Sequence, residues 1–175
     1  MPWTGDVTDR RIPQGYATLA PLLVVSPAAR AIDWYVDVFG AFVSYRLDEP
    51  LQANGLLLIG QAGLDFGAGR LQLSDPMPGF GLEASSPDRS TTGSIVVYVD
   101  DVDGVVARAE AAGAVIREAP ADFVSGDRYA SIVDPFGQRW AVMTRVQDLD
   151  EAESIRRVEE WWATIAPTMT GDAEG

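Results

Sequence analysis

The chain has 175 residues, a formal net charge of −13, and no cysteine, histidine or lysine. These absences exclude disulfides, thiolate catalysis and Schiff-base chemistry, and remove the commonest general base and metal ligand near neutral pH. The acidic charge argues against a nucleic-acid partner and favours cationic ligands. No signal peptide is recognisable and no apolar run approaches the ~20 residues that span a bilayer, so we expect a cytoplasmic protein without a membrane partner.

The first half of the chain predicts a strand, a helix and three further strands. Residues 1–15 are polar and predict a loose arm, and Ala17–Ser26 predicts a strand. Ser26 predicts the N-cap of a helix with Pro27 as its first residue, and Gly40 predicts its end. The apolar face of this helix is predicted at Ile32, Tyr35, Val36 and Phe39. The three strands are predicted at Ala41–Leu47, Gly55–Ile59 and Arg70–Ser74.

The second half repeats this order. Ser94–Val99 predicts a strand, Asp100 a helix N-cap and Gly113 the helix end. The helix face is predicted at Val102, Val105, Val106 and Ala109. Strands are predicted at Val115–Glu118, Arg128–Val133 and Arg139–Thr144, with a type I turn at Asp134–Gly137. A last helix is predicted over Asp148–Ala166, with its face at Ile155, Val158, Trp162 and Ile165, broadened by Trp161.

The agreement of order and spacing predicts an internal repeat. The two helix starts, Ser26 and Asp100, are 74 residues apart, and the two helix ends are 73 apart. We therefore predict an α+β protein of tandem βαβββ modules. The predicted parts are an N-terminal arm (1–15), a first module (16–76), a linker rich in Pro, Gly and Ser (77–92), a second module (93–147), and a C-terminal helix and tail (148–175).

Four stretches carry a resemblance to a known family. They are Ile12–Tyr16 (IPQGY) with the strand after it, Ala29–Ala41, Val99–Ala114 and Gly126–Trp140 with its DPFGQRW run. Together they resemble the vicinal oxygen chelate superfamily, which includes glyoxalase I, bleomycin-resistance proteins and extradiol dioxygenases. The likeness is closest to a branch of small, uncharacterised bacterial proteins and covers about residues 12–147.

The resemblance implies paired modules whose mixed sheets curl into a cup with the helices outside. In the metal-using enzymes of the superfamily, ligands come from positions that correspond here to Ala20, Gln72, Ser94 and Ala141. None of these residues is His, Asp or Glu, while a catalytic metal needs roughly three or four good ligands. We therefore expect no metal and no other cofactor. The alternative is a site filled by carboxylates elsewhere, such as Asp127 or Glu118.

Strand alternation predicts which side chains face into the cup. The expected ligand-binding residues are Leu22, Val24, Arg70, Gln72, Ser94, Val96, Tyr98, Tyr129, Arg139, Ala141 and Met143. The opposite set, expected beneath the helices, is Leu23, Val25, Ile95, Val97, Trp140 and Val142. A largely apolar surface with a few polar groups suits an organic ligand of moderate size. For Tyr98 and the two arginines, an ordinary place at a strand surface is an equal or stronger interpretation.

The predicted function is metal-free binding of a small organic ligand. Bleomycin-resistance proteins of this superfamily sequester a drug without chemistry, usually as homodimers, so the resemblance implies antibiotic resistance and a homodimer. The alternative is a metal-independent isomerase, cyclase or lyase that uses Tyr98, Asp127 or Glu118 as acid or base. A glyoxalase-like metalloenzyme with unorthodox ligands is a weaker alternative. The sequence identifies neither the ligand nor any catalytic residue.

Overall fold

Each half of the chain folds as a strand, a helix and three strands in a computed structural model that describes residues 12–13, 15–49, 58–86 and 91–169. The chain divides into two units, Met1–Arg89 and Ser90–Gly175. This arrangement confirms the predicted α+β class with tandem βαβββ modules and a C-terminal helix. Within the described ranges, no helix combines the length and the apolar character that crossing a membrane requires.

Unit 1 has a mixed four-stranded sheet. Its elements are β1 Leu22–Val24, α1 Ala28–Phe39, β2 Phe42–Glu49, β3 Leu58–Asp65 and β4 Arg70–Ser74. The strand order is β1-β4-β3-β2, with β1 and β4 parallel and the other pairs antiparallel. A short 3-10 helix, Pro78–Phe80, follows the sheet.

Unit 2 repeats the topology and adds a helix. Its elements are β5 Ser94–Tyr98, α2 Val102–Ala111, β6 Val115–Asp122, β7 Asp127–Val133, β8 Arg139–Arg145 and α3 Glu151–Met169. The strand order is β5-β8-β7-β6, again with the outer pair β5 and β8 parallel. Corresponding strands of the two modules therefore occupy the same positions in their sheets.

One face of each sheet is buried beneath its helix. In unit 1 the buried apolar positions are Leu71 and Leu73 in β4 and Ile59, Ala62 and Leu64 in β3, where the register with β2 shifts between Ile59 and Gln61. The buried residues of α1 include Ala28, Ala31, Ile32, Tyr35 and Val38. In unit 2 the buried set includes Val97, Trp140 and Val142, with Val102, Val105, Val106 and Ala109 of α2 as predicted. The face opposite the helix is called the helix-free face below.

The start of α1 differs from the prediction. Pro27, not Ser26, is the N-cap, and no side chain next to it in sequence caps the helix. Instead the buried carboxylate of Asp75 accepts a hydrogen bond from the Ala28 backbone at 2.9 Å and one from Ile59 at 2.8 Å. A carboxylate just after β4 thus satisfies the Ala28 N–H, one of the free N–H groups of the first turn, as a local cap would. Gly40 ends the helix in the left-handed conformation, as predicted.

Two smaller predictions about the helices are also wrong. The N-cap of α2 is Asp101 rather than Asp100, and its carboxylate accepts a hydrogen bond from the Gly104 backbone at 3.0 Å. On α1, Val36 and Phe39 are only half-buried, because the buried stripe is centred on Ala31, Ile32 and Tyr35 instead. Two aspartates in succession made the position of the α2 cap ambiguous in sequence.

Strand boundaries changed most where glycine and proline occur. The predicted first strand spans ten residues, but β1 has three, since Pro21 cannot donate to the ladder. The strand predicted at Gly55–Ile59 lies partly outside the described residues, and β3 extends instead to Asp65. Gly60 and Gly63 made this segment resemble a turn, whereas both lie inside the strand.

The C-terminal helix α3 packs on unit 2 through only part of the predicted face. Val158, Trp161 and Ile165 are half-buried as predicted, whereas Ile155 and Trp162 are about half exposed. Ser154, which was not predicted, adds a contact, since its hydroxyl donates to the Ser125 carbonyl at 3.0 Å. The Trp161 ring meets Phe123 edge-on, with ring centroids 4.9 Å apart. The Ser154 hydrogen bond and the Trp161–Phe123 contact thus join α3 to the segment before β7.

Candidate functional site

The helix-free face of unit 1 carries a row of residues that crosses all four strands. In the strand register Leu22 pairs with Gln72, Gln72 with Gly63, and Gly63 with Tyr45. Paired residues on neighbouring strands point to the same side of a sheet, so these four share one face. Leu22 is 45% exposed and Gln72 is half-buried, while their strand neighbours Leu71 and Leu73 lie in the core.

Tyr45 lies over Gly63. A Cβ atom at Gly63 would come within 2.3 Å of Tyr45 Cε1 and 2.7 Å of Ser44 Oγ, which is closer than real contacts allow. The register also shifts between Val43 and Tyr45, as in a β-bulge. Bulges re-aim side chains next to functional surfaces. Glycine at 63 therefore provides the space that brings the Tyr45 ring onto the sheet beside Gln72.

Tyr16 and Arg70 complete this group. The guanidinium carbon of Arg70 lies 4.7 Å from the centre of the Tyr16 ring, a cation–π contact. Gly15, which precedes the tyrosine, has a φ of +81°, and a Cβ atom there would meet the Arg70 guanidinium at 2.3 Å. Arg70 also forms an ion pair with Asp65 at 3.3 Å. We call Tyr16, Tyr45, Gln72 and Arg70 the tyrosine cluster.

The two hydroxyls of the tyrosine cluster have pKa values displaced in opposite directions. The Tyr45 hydroxyl donates to Tyr16, and Gln72 and Arg70 also hydrogen-bond to Tyr16, so the pKa of Tyr16 is lowered from its ordinary value. Burial, reinforced by the neighbouring Tyr16 hydroxyl, raises the pKa of Tyr45 to about 12. Neighbouring groups whose pKa values are driven apart are typical of acid–base and recognition sites.

The helix-free face of unit 2 has corresponding rows with different residues. One row runs Val96, Ala141, Ser131 and Glu118, and the next runs Tyr98, Met143, Tyr129 and Ala121. Val96 is 55% exposed and Tyr98 is 60% exposed. This face therefore exposes mainly apolar and aromatic side chains.

Arg139 is a cationic group on this face, at the position that corresponds to Arg70. Its Nε donates to Ser131 Oγ at 2.9 Å, and its Nη2 donates to Glu118 Oε1 at 3.2 Å. Ser94 lies beside it and donates to the Arg139 carbonyl at 3.4 Å. The register of β6 shifts just before Glu118, as that of β2 does just before Tyr45. The same kind of register shift therefore precedes the phenol of Tyr45 in unit 1 and the carboxylate of Glu118 in unit 2.

The turn before β7 is held by polar contacts. Asp127 is buried and accepts from Ser125 Oγ at 2.6 Å, and Arg145 lies 3.4 Å from its other oxygen. Arg128 donates to Asp122 at 2.9 Å and to Asp103 at 2.7 Å. These contacts give Asp127 and Arg128 a structural role in the turn. Tyr129 differs, because it lies on the helix-free face with its ring 6.3 Å from Phe123.

The structure distributes the sequence-predicted site residues over these two faces. Unit 1 carries Leu22, Val24, Arg70 and Gln72, and unit 2 carries Ser94, Val96, Tyr98, Tyr129, Arg139, Ala141 and Met143. The prediction missed Tyr45 and gave Tyr16 no role beyond the family motif. Alternation alone cannot place Tyr45, because the bulge before it changes the count along β2.

The side chains present do not fit the metal of the superfamily's enzymes. At the corresponding positions, Gln72 is hydrogen-bonded to the two tyrosines, and Ala141 lies between Val96 and Ser131. Across the ranges that the structure describes, no three His, Cys, Asp or Glu side chains come close enough together to hold a metal ion. Glu118, which the sequence analysis named as an alternative ligand, lies on the helix-free face of unit 2 and is paired with Arg139.

Curated relatives of this chain come from mycobacteria. The uncharacterized protein Rv0887c of Mycobacterium tuberculosis is 36% identical over 138 residues, which cover 77% of this chain and 78% of that protein. The uncharacterized protein Mb0911c of Mycobacterium bovis has the same identity over 138 residues, 88% of its length. Neither description gives an activity.

Solved structures with a similar fold include proteins of several kinds. TioX from Micromonospora sp. ML1 is 28% identical, with a TM-score of 0.56 over 74% of this chain and 98% of that one. Protein PA1353 from Pseudomonas aeruginosa is 22% identical, with a TM-score of 0.59 over 74% and 98%. The fosfomycin resistance protein FosX from Listeria monocytogenes, complexed with Mn(II) and sulfate, is 12% identical, with a TM-score of 0.57 over 81% and 97%. The last two show the fold alone.

The family model agrees with the topology and with the sequence motifs. The model of the Glyoxalase/Bleomycin resistance protein/Dioxygenase superfamily matches residues 16–142, most of both βαβββ modules. The chain belongs to this superfamily.

Proposed function

We propose that this protein binds a small organic ligand on the helix-free faces of its sheets and that it does so without a metal. The observation that carries the proposal is the composition of these faces. Leu22, Val96 and Tyr98 are 45–60% exposed, and the donors of Arg70, Gln72 and Arg139 lie beside them on the same faces. An apolar surface with a few fixed polar groups is the usual composition of ligand sites.

The family supports a binding or sequestering function of the bleomycin-resistance type. The superfamily's name includes bleomycin resistance proteins, which are named for resistance to an antibiotic. The net charge of −13 favours a ligand with a cationic part. We propose an antibiotic or related organic molecule as the ligand and a homodimer as the assembly, in the cytoplasm.

A metal-independent isomerase, cyclase or lyase is the second candidate. The tyrosine cluster favours it, since one hydroxyl is acidified while its neighbour is held neutral. The carboxylates that the sequence offered for this chemistry are both engaged, Glu118 with Arg139 and Asp127 with Arg145. Single-turnover product analysis of any ligand that binds would separate this candidate from simple sequestration.

The proposal is tested by thermal unfolding of the purified protein against an antibiotic panel, with elemental analysis of its metal content. A ligand that binds only the native state raises Tm by mass action. We expect at least one panel compound to raise Tm in metal-free protein and the chelator EDTA to leave that shift unchanged. A stoichiometric bound metal whose removal abolishes binding would contradict the proposal.

Two variants then test whether the ligand binds on the helix-free face of unit 2. Replacing an exposed aromatic that a ligand covers should weaken binding about tenfold. We expect this loss for Tyr98→Ala and no change for Ile155→Ala, which removes a similarly exposed apolar side chain from α3. Equal affinity of both variants and the parent protein would show that the helix-free face of unit 2 is not the binding surface.

A further inference from the structure

Three side chains hydrogen-bond with one hydroxyl in unit 1, that of Tyr16. The Tyr45 hydroxyl, the Gln72 amide and the Arg70 guanidinium all hydrogen-bond to the hydroxyl of Tyr16. They come from strands β2 and β4, which lie on either side of β3, while Tyr16 belongs to the segment that leads into β1. Arg70 can only donate, and the Tyr45 hydroxyl donates to Tyr16, so the Tyr16 oxygen accepts from both and neither of these two bonds uses its proton.

Among the residues that the structure describes, the cluster has donors close by and one neighbouring carboxylate that is already engaged. Asp65 is the carboxylate beside it, and it already accepts from Arg70 at 3.3 Å and from the Gly67 backbone at 2.8 Å. A cationic ligand group would therefore compete with Arg70 for Asp65. A negatively charged oxygen would instead meet hydroxyl and guanidinium donors, which form charge-assisted hydrogen bonds.

The backbone is shaped to hold these side chains in place. Gly15 leaves room for the Arg70 guanidinium, and Gly63 leaves room for the Tyr45 ring; a methyl group at either would come within 2.3 Å of them. The Tyr16 backbone is fixed as well, since its N–H donates to the Pro13 carbonyl at 3.0 Å. Close backbone approach of this kind is what preorganises donors before a ligand arrives.

We propose that Tyr16, supported by Tyr45, Gln72 and Arg70, binds an oxyanion of the ligand, a phenolate or a carboxylate. The inference deepens the proposed function and rests on it, because it states which chemical group of the ligand unit 1 recognises. Tyr16 donates its proton to the oxyanion, and Tyr45 and Gln72 act as positioning residues behind it. With the acidic surface, the site favours a ligand that carries both a cationic part and an acidic oxygen.

The physical basis is cooperative hydrogen bonding. A hydroxyl whose oxygen accepts hydrogen bonds becomes a stronger donor, because each bond in a chain polarises the next. The lowered pKa of Tyr16 has the same origin, since the donors that stabilise its phenolate also strengthen its outward hydrogen bond. Losing a hydrogen bond to a charged group corresponds to roughly tenfold or more in affinity.

The test uses three small aromatic probes of similar shape: 4-nitrophenolate and benzoate, which carry an oxyanion, and nitrobenzene, which does not. Their dissociation constants are measured by calorimetry at a pH where the acidic probes are ionised. The variants are Tyr16→Phe and Tyr45→Phe, which keep the rings, and Tyr35→Phe, which removes a hydroxyl from the buried core under α1. Thermal unfolding of each variant checks that it is folded.

We expect an oxyanion probe to bind the parent protein roughly tenfold or more tightly than nitrobenzene does. Tyr16→Phe should abolish this preference, Tyr45→Phe should reduce it, and Tyr35→Phe should leave it intact. A preference for 4-nitrophenolate alone would identify a phenolate, and a preference for benzoate alone a carboxylate. Equal binding of all three probes, no binding of either oxyanion, or a preference that survives Tyr16→Phe would overturn the oxyanion site. The proposed function is tested separately, by thermal unfolding against the antibiotic panel.

Discussion

The indole Nε1 of Trp140 donates a hydrogen bond of 2.9 Å to Asp134 Oδ2, and both side chains are almost completely buried. The other carboxylate oxygen of Asp134 accepts from the backbone N–H groups of Phe136 and Gln138, each at 2.9 Å. One side chain therefore fixes the turn between β7 and β8 and orients the largest core residue of unit 2.

Asp134→Ala should be among the most destabilising single changes in the chain. It leaves three buried donors without their acceptor, and each unsatisfied buried group costs about 1–3 kcal/mol. We expect a loss of about 3 kcal/mol or more in the free energy of unfolding, measured by urea denaturation. Asp101→Ala, which removes the α2 cap, is the comparison and should cost about 1 kcal/mol. Similar losses for the two variants would contradict the network described for Asp134.

Gly63→Ala should displace the Tyr45 ring. The new methyl group would need space that Tyr45 Cε1 occupies, and overpacking of this kind costs about 1–3 kcal/mol. Gly69→Ala is the matched control, because no atom lies within 4 Å of a Cβ atom built there. Urea denaturation should show a clear loss for the first variant and a change within about 0.5 kcal/mol for the second. If Gly63→Ala is neutral, the ring does not lie on that glycine.

The tyrosine cluster predicts a specific response to alkaline pH. The pKa of Tyr45 is about 12 in the folded protein, against 10.0 for an ordinary tyrosine. A raised pKa contributes stability that is present below pH 10 and is lost as the pH rises toward 12. The free energy of unfolding should therefore fall more steeply with pH in the parent protein than in Tyr45→Phe across this window. Equal slopes would show that Tyr45 is not buried in its neutral form.

Tyr16 should titrate separately from the other tyrosines. Its pKa is lowered, chiefly by the hydrogen bond from Tyr45, so its phenolate should form at a lower pH than that of an ordinary tyrosine. The ultraviolet absorbance of tyrosinate measures this directly. We expect Tyr16→Phe to remove the earliest ionisation and Tyr45→Phe to shift it upward. An unchanged first step in Tyr16→Phe would assign that step to another residue.

The first turns of α3 should loosen in acid. The pKa of Glu153 is lowered to about 2 by hydrogen bonds from Arg156 and Arg157. A lowered carboxyl pKa contributes stability above the ordinary value of 4.5 that is lost as the pH falls toward 2. The group is exposed, so the effect should be small and reduced by salt. Circular dichroism of Glu153→Gln should lack the part of the acid-induced helix loss that the parent protein shows at low salt.

Much of the fold could be predicted because the spacing of apolar residues and the positions of glycine and proline indicated the same elements. The α2 face at Val102, Val105, Val106 and Ala109 was predicted in full, since a helix that covers a sheet needs that spacing. The strands with an unbroken apolar pattern, β7 and β8, differ from their predictions by one residue at an end. Errors arose where a long-range contact replaced a local rule, as when Asp75 rather than Ser26 satisfied the start of α1.

The candidate site was less predictable for a related reason. Alternation placed Leu22, Gln72, Val96 and Tyr98 on the helix-free faces because those strands are regular there. Tyr45 follows a register shift, and Tyr16 lies before the first strand, so no periodic rule reaches either residue. Only the assembled sheet brings both hydroxyls to Gln72.

The hydrogen bonds of Asp75 also bear on how unit 1 assembles. Its carboxylate joins the end of β4 to the start of α1, 47 residues earlier, and to the start of β3. Contacts of such sequence separation close a large loop, which makes them slow to form compared with a local cap. The helix therefore gains its cap only when the last strand is in place. Helix and sheet become one cooperative unit, so hydrogen exchange at the Ala28 and Ile59 amides should report the same opening event.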